Sequence, residues 1–202
     1  MILGEKHSKL RGKSETIILE GSRLVKDALL AGAEVWCLCF CRPEILKQLG
    51  EAQGLLQSVK LYQVSPNTMK TFSDTVTPGG ILGVFKKPGQ GEAACPPQTT
   101  LPISIVCDSL KDPGNAGTLI RTAAAIGCKR IFATQGCVNL WGRKVLRSAM
   151  GAHFNIPIYS AIGWEEINNY IDPQAQVLLA SNFTATTTEH AFDSHLDADK
   201  LD

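Results

Sequence analysis

Short apolar runs of strand length alternate with segments of helical apolar spacing along most of this chain. The run ETIILE at residues 15–20 is followed by a segment in which Leu24, Val25, Ala28 and Leu29 recur at helical spacing, and VWCLCF, VKLYQV and ILGVFKK continue the pattern. The alternation restarts with ISIVC at residues 103–107 and ends with AQVLLAS at residues 175–181. This order predicts an α/β fold, with parallel strands in the second part and helices covering the sheets.

An aperiodic segment separates the two stretches of alternation. Residues 87–102, KPGQGEAACPPQTTLP, contain four prolines and two glycines. Such a composition predicts a linker. We therefore expect α/β units at residues 1–87 and 103–181 joined by a linker at 88–102, with a polar tail at 182–202 in which the apolar period stops.

The composition excludes several classes of protein. The longest apolar runs are far shorter than the ~20 residues of a membrane-spanning helix, and the start of the chain does not resemble a secretory signal. The 202 residues carry a net charge of +1, so nucleic-acid binding would depend on local patches of charge. Three of the seven cysteines, Cys37, Cys39 and Cys41, alternate along one strand without a second ligand pair, which favours buried thiols over a zinc site.

The turn after ISIVC carries the most chemistry. It reads DSLKDPGNAGTLIRTAAAIG, in which Asp108 and Asp112 flank a short loop and Arg121 falls in the second turn of the helix that follows. We predict that Asn115 caps this helix. In open α/β sheets, ligands bind at this end of a strand. The residues alone leave two interpretations open: a capped helix with a solvated arginine, or a ligand-binding turn. The spacing does not match a dinucleotide-binding fingerprint.

The same segment resembles a family signature. CDSLKDPGNAGTLIRTAAAIG is similar to the first motif of the SpoU (TrmH) branch of the SPOUT RNA methyltransferases, D-x-x-x-D-P-x-N-x-G-x-x-x-R-T-A-x-x-x-G. KVLRSAMGAHFNIPI resembles the segment that follows in the family. LEGSRLVKDALLAG and GILGVFKKP resemble its substrate-binding domain, so the likeness covers nearly the whole chain and is nearest to a mitochondrial rRNA-modifying type.

The resemblance implies a fold and an activity. It implies an L30e-like RNA substrate-binding domain at residues 1–87 and an incomplete SPOUT domain, Rossmann-like with an α/β knot, at residues 103–181. The implied reaction is methyl transfer from S-adenosylmethionine to a ribose 2′-hydroxyl of rRNA, in mitochondria, by an enzyme that forms a homodimer at full length. No metal and no membrane are implied.

Candidate site residues follow from the resemblance and from charge. The resemblance assigns catalytic roles to Asn115 and Arg121. A protonated guanidinium would stabilise a phosphate or a developing alkoxide more readily than it would act as a base. The charged side chains with which we expect RNA to make contact are Arg11, Lys13, Arg23, Arg143, Lys144 and Arg147, with Lys9 as a further candidate; a solvated surface charge is the alternative for each. His153 is expected to be structural.

Two further family signatures are absent from the sequence. These are G-x-E-x-x-G and a segment with an S-L-N core, which in the family supply the cofactor site and the knot. We therefore expect a truncated methyltransferase that is inactive alone and lacks much of the dimer interface, with its cofactor-binding residues beyond residue 202 and an insertion beginning at 182–202. The alternative is a non-catalytic RNA-binding module derived from the same family.

Overall fold

The computed structural model describes residues 15–93 and 98–180. Residues 15–93, here called the first half, and residues 98–169, the second half, lie in one compact unit. Residues 170–180 belong to a separate unit and are described by themselves.

The first half is a mixed four-stranded sheet with helices between its strands. Its elements are β1 (Thr16–Glu20), α1 (Ser22–Leu30), β2 (Val35–Phe40), α2 (Glu44–Lys47), a 3₁₀ helix (Gly50–Ser58), β3 (Lys60–Gln63), α3 (Pro66–Phe72) and β4 (Ile81–Lys86). The strand order is β1-β4-β2-β3. Strands β2 and β3 are parallel, and β4 is antiparallel to β1 and β2. The predicted alternation of strands and helices is confirmed here.

Local sequence explains where these helices begin and which face they bury. Ser65 accepts a hydrogen bond from the Thr68 amide at 3.1 Å, and Pro66 occupies the first turn of α3, where its missing N–H has no cost. The residues of α1 that recur at helical spacing, Leu24, Val25, Ala28 and Leu29, are all buried, whereas Leu30 at the end of the helix is exposed. The amphipathic pattern therefore sets the orientation of α1 against the sheet.

The second half is a three-stranded parallel sheet. It consists of β5 (Leu101–Cys107), α4 (Pro113–Ala125), β6 (Cys128–Thr134), α5 (Arg143–Ala149), a 3₁₀ helix (Ala152–Phe154), β7 (Ile158–Ile162) and α6 (Trp164–Asn168). The order is β5-β6-β7, and both strand pairs are parallel, as predicted. Parallel strands bring the turns after β5 and β6 to the same edge of the sheet.

The strand predicted at residues 175–181 is wrong over the part that the structure describes. Residues 175–180 form no strand, and Val177, Leu178 and Leu179 are exposed. A strand is stabilised by hydrogen bonds to a neighbouring strand, and an apolar run that belongs to no sheet has no such support. Ser181 and the predicted tail lie outside the described residues.

Part of the aperiodic segment is held against β7. The side chain of Gln90 exchanges two hydrogen bonds with the backbone of Ser160, each 2.7 Å long, and the Gly91 amide donates to the Ile158 carbonyl at 3.0 Å. Residues 90 and 91 therefore cover backbone groups of an edge strand that would otherwise be open to pairing.

One apolar core runs through both halves. It includes Ile17, Leu19 and Phe85 of the first sheet together with Ile120, Ile131 and Phe154 of the second half. A smaller cluster, formed by Cys39, Met69 and Leu82, lies on the opposite face of the first sheet beneath α3. The two halves therefore share buried surface, which fixes the helices that line the site described next.

Candidate active site

The turn between β5 and α4 is organised by Asp112. The Asp112 carboxylate accepts a hydrogen bond from the Asn115 amide at 2.7 Å, and Pro113 follows at the first position of the helix. Asp112 is therefore the N-cap, and the prediction that Asn115 caps the helix is wrong. The side chain of Asn115 is exposed at the start of α4 and is left available for other contacts.

Gly117 serves the packing of α4 on α5. A Cβ at residue 117 would lie 2.4 Å from the Ser148 Cβ and 2.8 Å from the Ala149 backbone nitrogen. The Ser148 hydroxyl also donates to the Gly114 carbonyl at 2.9 Å. The absence of a side chain at Gly117 thus allows α5 to approach α4 closely.

Arg121 lies on a cleft that joins the two halves. Its guanidinium Nη1 approaches the Met150 sulfur at 3.1 Å, and its side chain is exposed. The cleft has a volume of about 560 Å³ and is lined by Arg23 and Asp27 of α1 as well as by Arg121, Met150 and Asn155. Two predicted site residues, Arg23 and Arg121, are therefore brought together from opposite halves, a pairing that their sequence positions do not indicate.

Asn115 and Arg121 are not brought together. They are six residues apart on a regular helix, which separates them by about 9 Å along the axis and about 120° around it. Arg121 faces the cleft, whereas Asn115 stands at the helix start near the loop after β5. The two residues predicted to be catalytic thus occupy different faces of α4 in one chain.

Thr134, which the sequence analysis missed, meets Asp108 at the carboxyl edge of the second sheet. The Thr134 hydroxyl, at the end of β6, donates to the Asp108 carboxylate at 2.5 Å, and the Ser109 amide donates to the Thr134 oxygen at 3.3 Å. Ser109 has a φ of 49°. The only sequence signal was the position of Asp108 and Thr134 at the ends of adjacent predicted strands.

A cysteine pair lies beneath this edge. The Cys137 thiol lies 3.2 Å from the carbonyl oxygen of Cys107. Burial raises the pKa of the Cys107 thiol to about 11, and the nearby Cys137 acts in the same direction. Cys107 therefore stays a protonated thiol at neutral pH and is unsuited to act as a nucleophile.

The predicted RNA-binding residues differ in exposure and in whether their charged groups already have partners. Lys9, Arg11 and Lys13 lie outside the described residues. Lys144 is exposed on α5, and Arg147 is half-buried on the same helix with its Nη1 atom lacking a hydrogen-bond partner among the described residues. The guanidinium of Arg143 is engaged by the first half, since it donates to the Phe72 carbonyl at 2.8 Å and lies 3.1 Å from an Asp74 carboxylate oxygen.

His153 is structural, as predicted. Its Nε2 atom lies 2.7 Å from the Leu140 carbonyl oxygen, its ring packs 5.0 Å from that of Trp141, and the residue is fully buried. A carbonyl oxygen can only accept, so the proton is on Nε2. Burial lowers the pKa of His153 to about 4, and the hydrogen bond to Leu140 opposes this effect.

Two kinds of feature are absent from the residues that the structure describes. No described helix is long and apolar enough to cross a membrane. In residues 15–93 and 98–180, no group of three or more histidine, cysteine or acidic side chains is placed to hold a metal ion. The six described cysteines, among them Cys37, Cys39 and Cys41, are free thiols.

Two family models match the chain, and together they cover most of it. Residues 102–199 match the SpoU rRNA Methylase family, and residues 3–83 match the MRM3-like substrate binding domain. The chain belongs to the SpoU rRNA methylase family. The SpoU match includes the whole β5–α4 turn, with Asp112, Asn115 and Arg121.

Curated relatives of this SpoU chain are rRNA methyltransferases. The chain is 44% identical over 180 residues to human rRNA methyltransferase 3, mitochondrial, with 88% of the chain and 42% of the relative covered. It is 31% identical over 156 residues to the 23S rRNA (guanosine(2553)-2'-O)-methyltransferase RlmP of Bacillus subtilis, with 74% of the chain and 56% of the relative covered. The chain thus spans about half the length of these relatives.

A solved rRNA methyltransferase structure shares the architecture. The AdoMet-bound rRNA methyltransferase from Sinorhizobium meliloti is 26% identical and matches with a TM-score of 0.58, covering 76% of the chain and 57% of the solved one. The α/β fold of the SPOUT class is therefore shown for the described part of the chain.

Proposed function

We propose that this chain is part of an RNA 2′-O-ribose methyltransferase that uses S-adenosylmethionine and acts on mitochondrial large-subunit rRNA. The observation that carries the proposal is the exposed guanidinium of Arg121 on a cleft that it shares with Arg23 of the other half. The names of the human and bacterial relatives supply the mitochondrial rRNA and the 2′-O position. From the same names, we propose that the protein acts in mitochondria. We further propose that the full-length form works as a homodimer, as the family resemblance implies.

Arg121 is proposed to bind the target ribose and its phosphate. A guanidinium remains protonated in proteins and presents several donors in a planar fork, which suits phosphate oxygens and a developing alkoxide. Because the Arg121 side chain is exposed on the cleft, a phosphate that enters the cleft can reach its guanidinium. Met150, in contact with its Nη1, would hold the side chain in this direction.

Asn115 is proposed to act at the β5–α4 turn rather than beside Arg121. Because Asp112 already caps the helix, the Asn115 side chain keeps its donor and acceptor for substrate. Its exposed position at the end of the sheet where ligands bind in this fold class supports that role.

The described residues supply only part of a cofactor site. Asp108, ordered by Thr134, is an acidic group at the carboxyl edge of the sheet, where it could accept hydrogen bonds from ribose hydroxyls. When bound, S-adenosylmethionine supplies an electrophilic methyl group. The residues of this chain would orient the ribose oxygen and stabilise its negative charge as its proton is lost.

The RNA would extend over both halves. We propose that residues 1–87 form an L30e-like RNA substrate-binding domain, that residues 103–181 form part of the methyltransferase domain, and that residues 88–102 connect them. Arg11, Lys13, Arg23, Lys144 and Arg147 are proposed to contact phosphates. Such contacts position the RNA without reading its sequence.

A substitution at Arg121 tests the proposed activity. In a full-length protein, we expect Arg121→Ala to reduce transfer of a tritiated methyl group from S-adenosylmethionine to mitochondrial rRNA by at least ~100-fold, the effect of removing one oxyanion-stabilising donor. Lys129→Ala, at an exposed position of β6, is the matched control and should retain activity. Full activity of Arg121→Ala would overturn the role of Arg121.

A non-catalytic RNA-binding module is the second candidate. One observation favours it: Asn115 and Arg121 lie on different faces of α4, so the described chain does not assemble them into one site. Calorimetric titration of a full-length protein with S-adenosylmethionine separates the two candidates, since heat of binding supports the enzyme and its absence supports the module. With this chain alone, absence of heat excludes only a cofactor site within residues 1–202. Unchanged RNA affinity after charge reversal at Arg11, Lys13, Arg23, Lys144 and Arg147 would exclude the basic patch in either case.

A further inference from the structure

Arg143 connects the two halves through a single guanidinium. It is the first residue of α5, and its Nη1 donates to the Phe72 carbonyl, at the end of α3, at 2.8 Å. The same nitrogen lies 3.1 Å from Oδ1 of Asp74. The Arg143 side chain is only 18% exposed. We call these three residues, Arg143, Phe72 and Asp74, the Arg143 bridge.

The loop that receives Arg143 is itself fixed to β1. Oε1 of Glu20 accepts hydrogen bonds from the Ser73 hydroxyl at 2.5 Å and the Thr75 hydroxyl at 2.8 Å. The Thr75 amide also donates to the Ser73 oxygen at 2.9 Å. Residues 73–75 are therefore held between the end of β1 and the beginning of α5, and Asp74 presents its carboxylate from an ordered backbone.

The bridge lies at one end of the elements that form the cleft. Glu20 is two residues before α1, which carries Arg23, and Arg143 begins α5. Residue Met150, just after α5, contacts Arg121. A contact that fixes the start of α5 against the loop after α3 thus also fixes the spacing between Arg23 and Arg121 across the cleft.

We propose that Arg143 is a positioning residue that fixes the spacing between Arg23 and Arg121 across the cleft, and that it does not bind RNA itself. Its charge is paired with Asp74, and its side chain is only 18% exposed, so it is poorly placed to contact a phosphate. The proposed function enters this inference only through the RNA readout below; the structural readout is independent of it.

Hydrogen exchange on the free chain tests the bridge without RNA. Each of Arg143→Met and Asp74→Ala removes a charged contact of the Arg143 bridge, so the loop at residues 73–75 should open more often. Amide exchange at Thr75 should therefore accelerate about ten-fold or more, the effect expected when a hydrogen bond to a charged group is lost. The same variants should also accelerate exchange at Met150, at the far end of α5, which a purely local contact would not reach. Lys129→Met is the control. Unchanged exchange at Met150 in both variants, with native far-ultraviolet circular dichroism, would overturn the proposal.

RNA binding gives results of opposite sign for the two roles of Arg143. If Arg143 bound a phosphate, Asp74→Ala would remove a competing negative charge and tighten binding. If Arg143 positions the cleft, Asp74→Ala weakens binding several-fold, as Arg143→Met does. The slope of log affinity against log salt should fall by about 0.7–0.9 in Lys144→Met, which removes a proposed phosphate contact, and should stay unchanged in Arg143→Met.

The two proposals fail in different ways. Tighter binding by Asp74→Ala, together with a reduced salt slope in Arg143→Met, would make Arg143 an RNA contact and overturn its positioning role. If the unaltered chain binds no structured rRNA in a filter assay, the RNA-binding part of the proposed function fails for this chain. In that case, the exchange at Thr75 and Met150 still decides whether the bridge exists.

Discussion

Gly117 on α4 lies so close to Ser148 on α5 that a Cβ at residue 117 would come within 2.4 Å of the Ser148 Cβ. The Ala149 backbone nitrogen would be only 2.8 Å away, so the contact involves main chain that cannot rotate aside. The separation of α4 from α5, and with it the position of Arg121 relative to Met150, depends on the absence of a side chain at this one residue.

Gly117→Ala should destabilise the protein. Alanine is favoured over glycine inside a helix by about 1 kcal/mol, but overpacking in a buried contact costs about 1–3 kcal/mol. Because the clash includes backbone, we expect the second effect to be the larger, with a net loss of about 1 kcal/mol or more. Urea unfolding followed by circular dichroism measures the difference.

Gly54→Ala is the matched control for this substitution. Gly54 lies in the 3₁₀ helix Gly50–Ser58, and a Cβ there would meet nothing within 4 Å. Its free energy of unfolding should equal or exceed that of the unaltered protein. A Gly117→Ala variant as stable as Gly54→Ala would show that α4 and α5 are not packed as described.

Asp112→Ala should cost about 1 kcal/mol of stability through loss of the helix cap. Asp112→Ser keeps an oxygen that can accept from the Asn115 amide and should recover most of that loss. Asn115→Ala should change the midpoint of thermal unfolding little, because only the backbone of Asn115 takes part in the cap. If Asn115→Ala lost as much stability as Asp112→Ala, the Asn115 side chain would take part in capping the helix.

The assignment of this cap shows what a single sequence can settle. Asn115 and Asp112 are both good capping residues, and the local pattern allowed either. Proline is well suited to the first helical position, because its fixed φ is helical and its missing N–H would be unpaired there. Pro113 therefore indicated that Asp112, the residue before it, is the N-cap. This preference of proline was enough to locate the cap from the sequence alone.

Contacts between residues far apart in the chain could not be predicted from the sequence. The sequence predicted that Arg143 contacts RNA and indicated no partner for it in the chain, and only the fold places it 3.1 Å from Asp74. The shared cleft of Arg23 and Arg121 arises in the same way. By contrast, the strands and helices followed from apolar periodicity, which is a local property. The strand prediction failed at residues 175–180, because their apolar composition indicates a strand but cannot supply the neighbour with which a strand must pair.

His153 should make the protein less stable in mild acid. Burial lowers its pKa to about 4 from an ordinary value of 6.5, so the folded protein holds the neutral ring. Between these two pH values the unfolded chain binds the proton more readily, and the free energy of unfolding falls as the pH is lowered from about 6.5 to about 4. Each pKa unit corresponds to about 1.4 kcal/mol, so the total loss is about 3 kcal/mol.

His153→Gln isolates this contribution. Glutamine can donate to the Leu140 carbonyl but does not titrate, so the variant should be less stable at pH 7 and should lack the part of the pH dependence that His153 supplies. His7, His190 and His195 remain in both proteins, and the difference between their urea-unfolding curves at pH 7, 5.5 and 4.5 reports on His153 alone. If the two proteins lose stability in parallel over this range, the buried ring is not the group that titrates.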